Sequence, residues 1–83
     1  MALFMDVHTL GEGLSVDDVV AAHNKDLEIQ TAYGVNYTQA WVDHAKGKIF
    51  CLAEGPDAET VSRVHKEGHG LVADEIFEVS QYS

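Results

Sequence analysis

Two imidazoles spaced by four residues, in Val64-His65-Lys66-Glu67-Gly68-His69-Gly70, are the strongest chemical signal in this chain. On a helix that spacing sets His65 and His69 one turn apart on one face, both able to reach a single divalent ion. His8 closes the segment Met5-Asp6-Val7-His8, and the sole cysteine, Cys51, lies inside an apolar run. His23 and Asp26, spaced by three, form a further donor pair that suits a second site. Neutral imidazole binds Zn, Cu, Ni and Fe, and carboxylate adds hard oxygen donors. A His-plus-Asp set with open positions fits Ni(II) or Cu(II) better than a closed structural Zn(II) site, which usually recruits several thiolates. The expected ligands are His65, His69, His8 and Asp6, with Cys51 as a soft donor if its face opens to the site. Because ligating imidazoles must be neutral, affinity is expected to fall as pH drops through about 6.5.

Each of these residues also has an ordinary structural reading. Histidines near a helix C-terminus favour the negative end of the dipole. Asp6 and His8 make a plausible hydrogen-bonded pair at a strand end. His23 lies on an apolar stripe, as core histidines do, and His44 reads as a solvated loop residue. Cys51 reads equally as a small buried hydrophobe. Tyr37, Trp41 and Phe50 read as core or interface.

The elements that must position these donors follow from periodicity. Ala2 to His8 reads as a strand with Leu3, Met5 and Val7 on one face and Phe4, Asp6 and His8 on the other; Gly11 and Gly13 follow it. Ser15 caps a helix whose first turn carries Asp17 and Asp18. Val16, Val19, Val20, His23, Leu27 and Gln30 or Thr31 mark its inner stripe, and Gly34 ends it. Val35 to Asp43 forms a second strand, His44-Ala45-Lys46-Gly47 a hairpin loop, and Lys48 to Glu54 a third strand. Asp57 caps a second helix through His69, Gly70 stops it, and Glu75 to Gln81 is the last strand.

The order β-α-β-β-α-β is the split βαβ pattern of α+β, ferredoxin-like folds, with an antiparallel sheet ordered 4-1-3-2 and both helices on one face. The whole chain, 1–83, is one domain. Its two central strands are apolar on both faces, unlike a sheet with one wet side. A second copy packing sheet to sheet would cover the excess, so a homodimer of the dimeric α/β-barrel type is expected. The end of strand one, the end of helix two, the start of strand four and the hairpin share one edge. That places Asp6, His8, His65 and His69 together, with Glu67, Asp74, Glu75 and His44 nearby.

Composition narrows the function. Five basic against fourteen acidic residues give a formal charge of −9, which repels nucleic acid and anionic membranes and concentrates cations. No signal peptide or membrane span is evident, and a lone thiol suits a reducing compartment, so a cytoplasmic location is expected. At 83 residues the core is small, and without an intramolecular disulfide a metal or a partner subunit must assist it. The alternative is a cofactor-free enzyme of the α/β-barrel type, an oxygenase or isomerase acting on a small organic molecule. Its cavity would be lined by Asp6, His8, Tyr37 and Trp41.

Four segments in order, Phe4-Met5-Asp6-Val7-His8, Ala22-His23-Asn24-Lys25-Asp26-Leu27, Phe50-Cys51-Leu52-Ala53-Glu54-Gly55-Pro56-Asp57-Ala58 and Val64-His65-Lys66-Glu67-Gly68-His69-Gly70-Leu71, resemble a family of small bacterial nickel-binding, nickel-responsive proteins. The resemblance runs over nearly the whole chain. It implies a ferredoxin-like cytoplasmic homodimer that binds Ni(II), non-catalytically, in sequestration or homeostasis. Carried over by position, it puts Asp6, His8, His23, Asp26, Cys51, His65 and His69 forward as metal ligands, with Cu(II) or Zn(II) as other ions. Gly68 stands where alanine is expected in such proteins, which would loosen the last turn of the helix.

Overall fold

The computed structural model describes residues 2–11, 15–68, 70 and 72–82. His69, Gly13 and the side chain of Val16, all singled out above, lie outside what it describes. The elements run β1 (Ala2–Thr9), α1 (Val16–Ile29), the 3-10 turn η1 (Gln30–Tyr33), β2 (Asn36–Asp43), β3 (Lys48–Gly55), α2 (Ala58–Gly68) and β4 (Glu75–Val79). The four strands form one sheet in the order β2-β3-β1-β4, with every neighbouring pair antiparallel. This is an α+β arrangement consistent with a ferredoxin-like fold.

Strand alternation decides what faces the helices. In β3, Ile49, Cys51, Ala53 and Gly55 are buried while Lys48, Phe50, Leu52 and Glu54 are only partly so. β1 lies opposite in a register that pairs Asp6 with Cys51 and Phe4 with Ala53. Directly opposed residues share a face, so Phe4, Asp6 and Cys51 lie on the covered side. The core there consists of Phe4, Val35, Tyr37, Ile49, Cys51, Ala53, Val61 and Val64.

The helix ends follow their caps. Ser15 Oγ accepts from the Asp18 amide at 3.4 Å, and Asp57 Oδ1 accepts from the Thr60 amide at 2.7 Å, each satisfying an otherwise orphaned donor. Gly70, with φ of 78°, returns its N–H to the carbonyl of His65 at 3.0 Å, a left-handed stop of the kind only glycine takes without strain.

Three details differ from the sequence expectation. α1 stops at Ile29, and the chain tightens into η1 before Gly34 (φ 67°) turns it into β2. β4 ends at Val79, two residues earlier than expected. The inner face of α1 is Val19, Ala22, His23, Asp26 and Ile29, whereas Val20 and Leu27 are exposed. A buried carboxylate occupies the centre of that stripe, and hydrophobic periodicity alone assigns such a position to the nearest apolar neighbour.

Candidate metal centre

Asp6, His8, Cys51 and His65 offer one donor atom each, all within 4.8 Å of one another, and all four are buried. β1 supplies Asp6 and His8 as alternate residues on the covered face, and β3 supplies Cys51 directly across from Asp6. His65 comes from the inner face of α2, beside the core residues Val61 and Val64.

Asp6 is the hub. Its Oδ2 lies 2.8 Å from His65 Nε2 and 3.0 Å from the Tyr37 hydroxyl, which is also 3.1 Å from the carbonyl of Val61. Its Oδ1 lies 3.2 Å from His8 Nε2, a charge contact that lacks hydrogen-bond geometry. The other nitrogen of His65, Nδ1, lies 2.9 Å from Asp26 Oδ2. The His8 and His65 rings meet edge to face with centroids 4.8 Å apart, and Tyr37 tilts over His65 at 4.7 Å.

Protonation follows from these contacts. With both ring nitrogens against carboxylates, His65 donates from each and is an imidazolium in the metal-free protein. Burial pulls its pKa down, but Asp26, Asp6 and Cys51 outweigh that and raise it to about 11. Burial also opposes charge on His8, yet Asp6 and Cys51 raise it to about 9. Burial pushes the Asp6 carboxyl up, and the two imidazoles more than reverse this, holding it well below the usual carboxylate range. Tyr37, buried and facing carboxylates, is pushed far above an ordinary phenol and stays a donor.

The arrangement fits a transition-metal ion. Donor atoms bound to one ion at metal–ligand lengths of ~2.0–2.3 Å lie ~3 Å apart, the scale of the Asp6–His65 and Asp6–His8 contacts. One thiolate, two imidazoles and one carboxylate form a borderline-soft set that suits Ni, Cu or Zn rather than Mg or Ca. The Asp6 Oδ1 atom is buried with no hydrogen-bond partner among the described residues, a condition that asks for an ion or a water. With Asp26 on Nδ1 of His65, Nε2 would be the nitrogen left for an ion, as in carboxylate–histidine–metal pairs.

Asp6, His8, Cys51 and His65 thus converge as their sequence pattern suggested. Asp26 and His23, read above as a donor pair for a second site, lie beside this group: Asp26 contacts His65, and both residues line one cavity of about 30 Å³ with His8, Cys51 and His65. His44, Glu67, Asp74 and Glu75 are exposed; Asp74 instead accepts the Thr9 amide at 2.6 Å and ties the start of β4 to β1. Asp6, His8 and Tyr37 face the helices, whereas Trp41 pairs with Phe50 on the opposite face, so the expected four-residue cavity does not form.

Sequence reasoning names Tyr37 beside Asp6 and His8, but groups it with Trp41 and does not foresee its hydrogen bond to Asp6. A bulge between Tyr37 and Gln39 puts Tyr37 opposite Ala53 and Ala40 opposite Cys51, both on the covered face. Uninterrupted alternation would have placed Tyr37 and Trp41 on the same side.

The family model described as "Nickel responsive protein SCO4226-like" matches residues 4–79. The solved structure of SCO4226 from Streptomyces coelicolor A3(2) superposes with a TM-score of 0.92 at 46% identity, covering 99% of this chain and 100% of that one. No curated protein matches the chain.

Proposed function

We propose that this chain, which belongs to the SCO4226-like family of nickel-responsive proteins, holds a nickel ion non-catalytically and serves nickel sequestration or homeostasis. Asp6, His8, Cys51 and His65 are the ligands of this reading, and Asp26 orients His65. The observation that carries it is the meeting of four buried donors of three chemical kinds within 4.8 Å. Burying two carboxylates and two imidazoles in a small core is costly, and a cation shared among them gives that cost a purpose. The choice of nickel over copper or zinc rests on the family's being nickel-responsive.

When bound, the ion would replace protons. His65 through Nε2, His8 and Cys51 would hold it in their deprotonated forms, and Asp6, a hydrogen-bond acceptor without the ion, would be a ligand. Tyr37 keeps its hydroxyl on Asp6 and steadies the carboxylate.

The homodimer belongs to the same reading. The uncovered sheet face carries Leu3, Met5, Trp41, Leu52 and Val79 around one shallow depression, with Trp41 46% and Phe77 48% exposed. A second copy seated there would hide these side chains. No helix among the described residues is long and apolar enough to cross a membrane, and a cytoplasmic location fits the single thiol.

The cofactor-free enzyme reading is weaker. The cavity beside the clustered residues, about 30 Å³, has room for a water or an ion, far from the roughly 300 Å³ or more of organic ligand sites.

Titration calorimetry with Ni(II) on untagged protein tests the reading. Wild type is expected to bind one ion per chain at this group, and Asp6→Ala/His65→Ala is expected to abolish that binding. An unchanged isotherm in the double variant would remove these residues from the site.

A further inference from the structure

Two side chains aim the donor group without belonging to it. Asp26 meets Nδ1 of His65 at 2.9 Å, and the Tyr37 hydroxyl meets Asp6 Oδ2 at 3.0 Å. They come from different elements, α1 and β2, yet a single residue is bonded to both stretches of chain. Gln30 caps the end of α1, and its N–H donates to the carbonyl of Asp26. Its own carbonyl accepts the N–H of Gly34 and that of Val35, the latter at 3.1 Å. Its side chain reaches further still: Oε1 accepts the Tyr37 amide at 2.8 Å.

That last bond falls where the sheet constrains the chain least. β2 lies at the edge, paired only with β3, and an edge strand has backbone donors outside the ladder. The register slips between Tyr37 and Gln39, and a bulge of that kind bends the strand and sharpens its twist. A side chain turned toward Asp6 at such a point needs its own main chain fixed. The Gln30 side chain supplies the fixing bond. It also carries the tether onward, since Gln30 Nε2 meets Asn36 Oδ1 at 3.5 Å and Asn36 Nδ2 meets Glu54 Oε1 at 3.4 Å. Asn36 and Glu54 are directly opposed across the β2–β3 pair.

We propose that Gln30 is a positioning residue for the metal group. It fixes the end of α1 against the bulge of β2, and so sets Tyr37, and through it Asp6, relative to Asp26 and His65. This rests on the reading of Asp6, His8, Cys51 and His65 as a metal site and names what holds the aim of that site. The chemistry required is one acceptor at the end of a two-methylene arm. Glutamate keeps that acceptor, and methionine has the length without it.

The test compares Gln30→Met with Gln30→Glu in the full chain. Nickel titration of Gln30→Met is expected to show wild-type stoichiometry at about tenfold lower affinity, as for other partners outside the ligand shell. In the metal-free variant the Tyr37 hydroxyl proton, followed by NMR, is expected to exchange with solvent faster than in wild type. Gln30→Glu is expected to restore both readouts. A Gln30→Met protein with wild-type affinity and hydroxyl exchange overturns the proposal. So does a Gln30→Glu protein as impaired as Gln30→Met, because the effect then comes from the shape of the helix end and not from the acceptor. Amide hydrogen exchange in wild type adds a measurement that no variant's folding can obscure. The Tyr37 N–H is expected to be protected, and exchange at the rate of an unbonded amide overturns the tether. If wild type takes up no nickel, the site reading fails, while the two exchange measurements on metal-free protein still decide whether Gln30 holds Tyr37.

Discussion

At the scale of single residues, the metal-free site is held together by protons, and this gives its stability a pH dependence of definite sign. His8 and His65 have pKa values raised from 6.5 to about 9 and about 11. Groups raised on folding contribute stability that is fully present below the unfolded value and lost as pH rises through the folded one. Asp6 is lowered from 3.8, so its contribution is present above 3.8 and lost as pH falls through its folded value. Urea denaturation of the metal-free protein is therefore expected to show greatest stability between about pH 4 and 6.5, declining steadily toward pH 10. A flat profile from pH 6.5 to 10 would contradict the pairing. The same contacts revise the simple expectation for metal binding. Protons compete with the ion well above pH 6.5, so affinity should still be climbing at pH 8.

Asp26 makes the sharpest single-residue case for an orienting role. It touches His65 on the nitrogen away from the donor cluster, so Asp26→Asn should leave the ligand set intact while loosening its aim. Nickel affinity is expected to drop by roughly 10–100-fold, the range found for such outer partners, with the number of ions bound unchanged. Complete loss of stoichiometric binding in a folded Asp26→Asn protein would instead make Asp26 a ligand. Sequence spacing exposed the donors themselves, because histidines and a cysteine are chemically conspicuous. It could not separate ligand from orienter, since both are short polar side chains whose roles depend on which ring nitrogen they meet.

At the scale of elements, the contact between α1 and α2 turns on Gly68. A Cβ there would come 3.2 Å from Asp26 Oδ1 and 3.5 Å from the end of Ile29. Glycine lets the two helices approach closely enough for Asp26 to reach His65, and the looser last turn expected from sequence is the lesser effect. Gly68→Ala sets two effects against each other. Alanine favours the helix by up to about 1 kcal/mol, and its methyl presses on the carboxylate that orients His65. Thermal stability is expected to stay within about 1 kcal/mol of wild type while nickel affinity falls several-fold, read by parallel melting and metal titration. An affinity equal to wild type would mean that the carboxylate moves aside freely. The order of elements and the sheet register were readable from alternation, caps and breaker residues. The bulge near Thr38 and the turn at Gln30–Tyr33 were not, because each is a local departure from periodicity that only tertiary packing selects. The bulge is what turns Tyr37 toward Asp6 and parts it from Trp41, so the grouping of Tyr37 with Trp41 fails through that strand irregularity.

At the scale of the whole molecule, a chain of 83 residues has little core to spare, and part of what it has is spent on charged and polar groups: Asp6, His8, Asp26 and His65 are all buried. A domain of this size commonly draws stability from a metal or a partner, and the two faces of β1 and β3 offer a place for each. β1 and β3 present Asp6, His8 and Cys51 to the helices and, from the alternate residues, Met5, Phe50 and Leu52 to the uncovered side. If that side is the homodimer contact, charge placed at its exposed aromatics should split the dimer without touching the donors. Trp41→Glu/Phe77→Lys is expected to sediment as a monomer at micromolar concentration while binding nickel with wild-type stoichiometry. Wild type that is already monomeric under those conditions would refute the contact. Ion binding gives an independent measure, since a ligand that binds only the folded state at a hundred times its Kd adds about 2.7 kcal/mol. For a domain of this size, each kcal/mol moves Tm by roughly 4–8 °C. Nickel should therefore raise Tm by about 10–20 °C in wild type and in the interface variant alike, and a chelator should reverse it. In Asp6→Ala/His65→Ala the shift should vanish. A melting curve indifferent to both nickel and chelator in wild type would mean that the buried donor group is held by its hydrogen bonds alone.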